Sequence, residues 1–242
     1  LGPVFGTLVA EAAASLLPWN SSETVFVELG PEPEQTLEAA VLSAGFAAYQ
    51  PIRPGDSLDL PPRCVLFSNE VLDAQPFRRL VREANCWREL GVRVQTDGLA
   101  WERLEAAGLP PGLPDDLPAG TLLDWPEGAH RLVREAARKP WAGLWLAFDY
   151  GISRETAFRE RPAGTGRTYS RHQTGSDLLN NPGHTDITCH LIWEELETVL
   201  RDHRFREPVL EFQEAFFMRH ATRTLQALLS DTRPGFSRAR QT

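Results

Sequence analysis

Three short apolar runs in this 242-residue chain end in carboxylates or amides. Thr24 to Leu29 encloses one acid, Glu28, and runs into Gly30-Pro31. Cys64 to Phe67 delivers Ser68-Asn69-Glu70, with Asp73 one turn further on. Leu144 to Phe148 leads into Asp149-Tyr150-Gly151. Acids at strand ends beside glycine suit the hydroxyls or cationic groups of a ligand, because α/β sheets bind ligands beyond the carboxyl ends of their strands. The same residue types also cap helices. Three such ends in one chain favour a shared crevice.

Other chemistries find little support. The chain has one lysine, Lys139, which precedes Pro140 and so cannot serve a phosphate loop of the Lys-Ser/Thr type. Cys64, Cys86 and Cys189 are odd in number and widely spaced, which argues against a disulfide framework and makes a reducing, cytoplasmic compartment the expectation. His184, Asp186 and His190 have ligand chemistry, but the stretch reads as a hydrogen-bonded loop, and no metal is expected. Arg154, Arg159, Arg161, Arg167 and Arg171 crowd a Gly/Arg-rich loop, read as a solvated face or a contact to an acidic group. The net charge of −8 argues against a broad nucleic-acid footprint, and no apolar run approaches the roughly 20 residues that span a bilayer. Leu1-Gly2-Pro3 has no starting Met and no signal-peptide pattern, so a start inside a longer protein is expected. The arginine-for-lysine bias points to a GC-rich bacterial genome.

The elements that must position these acids follow from periodicity. Helices are predicted for Val4 to Leu17, Thr36 to Ser43, Glu127 to Arg138, Trp193 to Asp202 and Glu214 to Leu229. Besides the three acid-tipped runs, strands are predicted for Phe46 to Ile52, Thr121 to Leu123 and Val209 to Phe212. Pro54 to Pro62, Leu109 to Gly120 and Ile152 to Thr174 read as loops, and Phe77 to Val94 fits either a helix or two strands around Asn85. Apolar strands alternating with helices indicate an α/β sheet covered on both faces.

The ordered motifs resemble the MidA-like S-adenosylmethionine-dependent methyltransferases, relatives of the mitochondrial complex I assembly arginine methyltransferase. Phe5-Gly6 is similar to that family's FGELL segment, and Val27-Glu28-Leu29-Gly30-Pro31 to its VELGPG cofactor motif. Ser68 to Pro76 (SNEVLDAQP) resembles SNEFFDALP, and Cys86-Trp87-Arg88-Glu89 resembles GWRE. Asp149-Tyr150-Gly151, Gly164-Thr165, Arg167 and Arg171-His172 look like DYG…GTLRAYRRH, and Pro182-Gly183 with Asp186-Ile187-Thr188 and His190 like PGxxDLTAHVDF. The blocks keep family order over nearly the whole chain.

The resemblance implies an α/β fold: a Rossmann-like class I methyltransferase sheet with helices on both faces and an inserted β-rich subdomain at roughly residues 77–120. It implies one methyltransferase-like domain over 1–242, without the family's N-terminal segment and final C-terminal strand, and it reads Phe77 to Val94 as a strand pair. The implied cofactor is S-adenosylmethionine, held by Glu28, Gly30, Pro31 and Asn69. The implied reaction is methyl transfer to a protein arginine, with a respiratory complex I subunit homologue as one candidate substrate. Glu70 and Asp73 are then the paired carboxylates that clamp a guanidinium.

The chain departs from the family at the cofactor turn. GPGRGTL becomes Gly30-Pro31-Glu32-Pro33-Glu34-Gln35-Thr36-Leu37, which replaces one glycine with an acid and removes an N–H donor at Pro33. The acid that would hold ribose hydroxyls after the second strand has only Asp56 as a counterpart. The alternative reading is therefore a non-catalytic assembly or binding protein with a degenerate cofactor loop.

Overall fold

The computed structural model describes residues 2–33, 36–96, 98–170, 173–203, 205–206 and 208–230. The chain divides into two compact units: Leu1–Asn69, Lys139–Phe148 and Val209–Thr242 form the first, and Glu70–Arg138 with Asp149–Pro208 the second.

The first unit carries a four-stranded parallel sheet. Its strands are β1 (Val25–Leu29), β2 (Ala48–Ile52), β3 (Arg63–Asn69) and β8 (Ala142–Phe148), in the order β2-β1-β3-β8. Helices α1 (Pro3–Leu16), α2 (Glu38–Ser43), α5 (Gln213–His220) and α6 (Thr222–Ser230) complete the unit. Side chains alternate across a strand, so Phe26, Val65, Phe67 and Leu146 project to one face. There they pack with Val9, Ala10 and Ala13 of α1, Val41 of α2 and Phe216 and Phe217 of α5. A Cβ on Gly6 would sit 3.1 Å from Leu37 and 3.2 Å from Ala40, so glycine lets α1 lie close against α2. Gly143 has the same use in the sheet: its φ is +150°, and a Cβ there would fall 1.8 Å from the Cys64 carbonyl oxygen.

The second unit carries β4 (Arg78–Arg82), β5 (Trp87–Gln95), β6 (Gly98–Leu104) and β7 (Leu122–Trp125) as an antiparallel sheet in the order β6-β5-β4-β7. Helix α3 (Glu127–Arg138) follows. Then come β9 (Gly151–Ile152), a wide single helical turn at Thr156–Glu160, β10 (Arg167–Ser170), β11 (Gln173–Gly175), β12 (Asp186–Thr188), β13 (Leu191–Ile192) and α4 (Trp193–Asp202). Strand β10 pairs with β11 and β12, and β9 with β13. Leu80, Trp87, Leu123, Trp125, Phe158 and Ile192 form this unit's own core. The antiparallel sheets fit the expected inserted β-rich subdomain, and Phe77 to Val94 is a strand pair.

Three expectations are corrected. Residues 209–212 form no strand: Val209 is 79% and Phe212 84% exposed, so the apolar run has neither a strand partner nor a core to enter. The single helix expected from Glu214 to Leu229 is two, α5 and α6, separated at Ala221. Glu11 of α1 supplies the reason, because its carboxylate accepts from the Arg223 N–H at 3.0 Å and the Thr224 N–H at 2.8 Å and so caps a new helix start. The Ile152 to Thr174 loop holds the wide turn and β10, and its Arg171 and His172 lie outside the described residues.

Candidate active site

In the first unit, strand order changes direction between β1 and β3, and this is where α/β sheets open a crevice. Leu29 pairs with Ser68, so the turn from Gly30 and the end of β3 at Asn69 emerge side by side. Gly30 has φ +67°, a conformation glycine reaches without strain, and its N–H donates to the Ile52 carbonyl at 2.8 Å. Pro31 is buried, while Glu32 and Pro33 are exposed; Glu34 and Gln35 lie outside the described residues.

Glu28 is only 2% exposed, and its Oε2 accepts from the Leu37 N–H at 3.0 Å and the Tyr49 hydroxyl at 2.6 Å. This buried carboxylate thus ties the start of α2 and strand β2 to β1. Burial, followed by the Glu28 hydrogen bond and charge, pushes the Tyr49 phenol up. Ser68 is fully buried, and its Oγ has no hydrogen-bond partner. Asp56 closes a turn, its Oδ2 accepting from the Arg53 N–H at 2.8 Å.

In the second unit, Glu70 is exposed and takes φ +51°, a left-handed conformation that costs a non-glycine residue about 1 kcal/mol or more. The Asp149 carboxylate secures the segment that follows. It accepts from the N–H groups of Leu72 at 2.9 Å, Asp73 at 3.1 Å and its own neighbour Tyr150 at 3.0 Å. Asp73 is 4% exposed, its backbone carbonyl accepts from the Cys189 N–H at 2.9 Å, and its Oδ1 is buried without a partner. Burial first, then the charge of Asp149 and its hydrogen bond, then Glu70, push the Asp73 carboxyl up to about 7. Asp149 is also raised, chiefly by burial, although three N–H donors oppose the shift. The donors favour charge on Asp149, so the proton the pair keeps resides mainly on Asp73.

The structure therefore brings Glu70, Asp73 and Asp149 together and separates their circumstances. Glu70 faces solvent, whereas Asp73 is enclosed. Of the other sequence candidates, Glu28, Gly30, Pro31 and Asn69 belong to the sheet unit.

One important residue gave no obvious motif. Asp124 is buried in β7 directly opposite Arg79 of β4, whose Nε and Nη2 donate to it at 2.7 and 3.0 Å. Its Oδ2 also accepts from the N–H groups of Thr165 and Gly166, both at 2.7 Å. Thr165 Oγ1 then accepts from the His190 N–H at 3.2 Å. Asp124 thus anchors the Gly164–Gly166 turn. The signal available in the sequence was a lone acid inside the apolar run Leu122-Leu123-Asp124-Trp125. Burial, with Arg167 and Arg161 nearby, pushes His190 down to about 4, so its ring is neutral at physiological pH.

A family described as putative S-adenosyl-L-methionine-dependent methyltransferase matches residues 10–208. The mitochondrial protein arginine methyltransferase NDUFAF7 homolog of Caenorhabditis elegans is 29% identical over 153 residues, 60% of this chain and 34% of that protein. A COG1565 superfamily member of Burkholderia thailandensis, solved bound to S-adenosyl-homocysteine, superposes with TM-score 0.72 at 23% identity, covering 84% of this chain and 62% of that one. A native crystal structure of a protein of the same superfamily and species gives TM-score 0.70 at 22% identity. The chain spans about a third of the curated relative and 62% of the first solved structure.

Proposed function

The chain belongs to the putative S-adenosyl-L-methionine-dependent methyltransferase family, and from that premise we propose that it transfers a methyl group to a protein side chain, an arginine guanidinium. The observation that carries the reading is the β1/β3 switch point, with Gly30 left-handed at one strand end and a buried, unpartnered Ser68 Oγ at the other. An orphaned polar atom and a left-handed glycine at the strand end fit a cofactor that needs hydrogen bonds and close backbone approach. Gly30, Pro31 and Asn69 would hold it, with Glu28 behind them fixing the turn. S-adenosylmethionine supplies an electrophilic methyl group on a sulfonium.

The protein's own task is to bind and orient a poor nucleophile. Glu70 is the exposed acid of the carboxylate group and is suited to a two-pronged contact with a guanidinium. Asp73, enclosed beside it, acts through the segment that Asp149 secures. An arginine substrate is supported by the name of the Caenorhabditis elegans relative, and a complex I subunit homologue is the first protein to try. The three cysteines are unpaired, which supports a reducing compartment such as the cytoplasm.

Titration with S-adenosylhomocysteine tests the reading. At a hundred times its Kd the ligand should stabilise the fold by about 2.7 kcal/mol, and Glu70→Gln should abolish methyl incorporation while leaving cofactor affinity within a few-fold. A flat thermal-shift and calorimetric titration into the millimolar range would refute it. Exposed Glu32 and Pro33 in the turn favour the second reading, a binding protein without cofactor. Under that reading, only the Glu32→Gly/Pro33→Arg variant should recover binding.

A further inference from the structure

Strand β4 ends on a buried cation. Arg82 is only 5% exposed, and its Nη2 donates to the Asp115 carbonyl at 2.7 Å. Its Nε and Nη1 are buried without a hydrogen-bond partner, and no carboxylate among the described residues pairs with it. A guanidinium stays charged and carries five N–H donors, so the one on Nε and the two on Nη1 go unused. An enclosed charge without a counter-charge is strongly unfavourable. The main chain of Arg82 is fixed to the far end of the loop that its Nη2 touches. Its N–H donates to the Thr121 carbonyl at 2.8 Å, and Gly120 N–H donates to the Arg82 carbonyl at 2.7 Å. The side chain therefore underlies the loop from Thr121 back to Asp115. Alternation along β4 puts Arg82 on the same sheet face as Leu80, with Trp87 directly opposite it on β5. Leu80 and Trp87 pack with Leu117 and Phe158. On that side of the sheet, a cavity of about 470 Å³ opens between the loop and the wide turn Thr156–Glu160. Asp116, Leu117 and Thr121 line one wall, and Phe158, Arg159 and Pro162 the other. Leu122 N–H joins the walls by donating to the Pro162 carbonyl at 2.8 Å. Asp116 and Arg159, one from each wall, are exposed and pair at 3.0 Å.

Charge and lining together define what this cavity can take. Asp116 already matches Arg159, so the surplus charge is that of Arg82 alone and calls for a monoanion. Leu117, Phe158 and Pro162 call for an apolar body beside that charge. The volume lies within the roughly 300–1,000 Å³ of small-molecule sites. We propose that the cavity binds a small organic monocarboxylate, whose carboxylate takes the free donors of Arg82 and whose apolar part lies against Leu117 and Phe158. The 115–121 loop covers the guanidinium and shifts to admit the ligand. The exposed Asp116–Arg159 pair resists that movement only weakly, since such pairs contribute little. The site is separate from the methyltransferase reading: its residues all belong to the second unit, and Glu70, Asp73 and Asp149 are not among them.

The test titrates the full chain with benzoate, benzamide and inorganic phosphate, followed by calorimetry and by NMR of the Gly120, Thr121 and Phe158 amides. Benzoate should bind saturably and shift those amides. Benzamide has the same shape without the charge, and should bind about tenfold more weakly or worse. Phosphate lacks an apolar part and brings a second charge, so it should also bind more weakly than benzoate. Arg82→Met removes the cation and should weaken benzoate binding about tenfold or more. That variant also loses an uncompensated buried charge, so it should stay folded, which circular dichroism checks. Asp116→Asn, an exposed substitution, removes a repelling acid and releases Arg159, and should tighten benzoate binding several-fold. It keeps the test decisive even if Arg82→Met fails to fold. Absence of saturable benzoate binding, equal binding of benzamide, tighter binding of phosphate, wild-type affinity in folded Arg82→Met, or unchanged affinity in Asp116→Asn would each overturn the proposal.

Discussion

Replacing Asp73 with asparagine should stabilise the protein at alkaline pH and leave it little changed in acid. The carboxyl is 4% exposed and rises from an ordinary 3.8 to about 7 in the folded state. An acid whose folded pKa is raised binds its proton more tightly when folded. Its contribution is therefore fully present below about pH 4 and is lost as pH climbs through 7. For a lone group, that displacement is about 4 kcal/mol at pH 8, at 1.36 kcal/mol per unit. Asp149 shares the proton, so roughly half, about 2 kcal/mol, is expected. The asparagine side chain would keep the shape and a donor for Asp149 without ever becoming charged. Urea unfolding of both proteins at pH 5, 6, 7 and 8 reads the difference directly, and titrating groups away from Asp73, Asp149 and Glu70 cancel in it. The variant should gain stability over wild type from pH 5 to 7 and level off above that, once the carboxyl is ionised in both states. A constant offset, or a variant more than about 1 kcal/mol less stable at pH 8, would refute the claim that Asp73 is forced to hold a proton.

Asp124→Ala should cost about 3–5 kcal/mol in urea unfolding, since it strands a buried Arg79 guanidinium and two backbone donors; the double variant Arg79→Met/Asp124→Leu should recover part of that loss. Gly143→Ala should destabilise by about 3 kcal/mol, because its Cβ would fall 1.8 Å from the Cys64 carbonyl oxygen in the neighbouring strand; thermal or urea unfolding of the variant measures it. Glu11→Ala should cost about 1 kcal/mol and speed amide exchange at Arg223 and Thr224, the two donors it caps.

The sequence was most legible where local rules decide. Helices α3 and α4 fall on the expected residues because their apolar spacing is carried within ten or twelve residues of chain. The buried cores of β1 and β3 were readable as short apolar runs, and the carboxylates at the strand ends as candidates, whereas β8 forms on its apolar run but buries only Leu146. Legibility failed where a distant residue decides. The break between α5 and α6 depends on Glu11, more than two hundred positions away. Asp124 acquires its meaning from Arg79 and from a turn forty residues later. The spacing of Glu70 and Asp73 suggested two equivalent acids, yet Asp149 draws the second under cover while the first keeps a left-handed, exposed position.

The same logic bears on the altered turn after β1. A glycine-poor turn would be expected to lose its shape if glycine alone defined it. Here the turn is held from beneath: Glu28 grips Leu37 N–H at its far end and Tyr49 across β2, while Gly30 N–H is fixed to Ile52. Two of these bonds have backbone donors and the third ends on the buried Glu28 carboxylate, and none involves the substituted positions Glu32 and Pro33. The anchors therefore survive a change at the exposed crest, where extra charge and a missing donor alter what the turn can bind rather than where it sits. Weakened affinity with a preserved crevice is the physical expectation, and it separates loss of cofactor strength from loss of the fold that would present one.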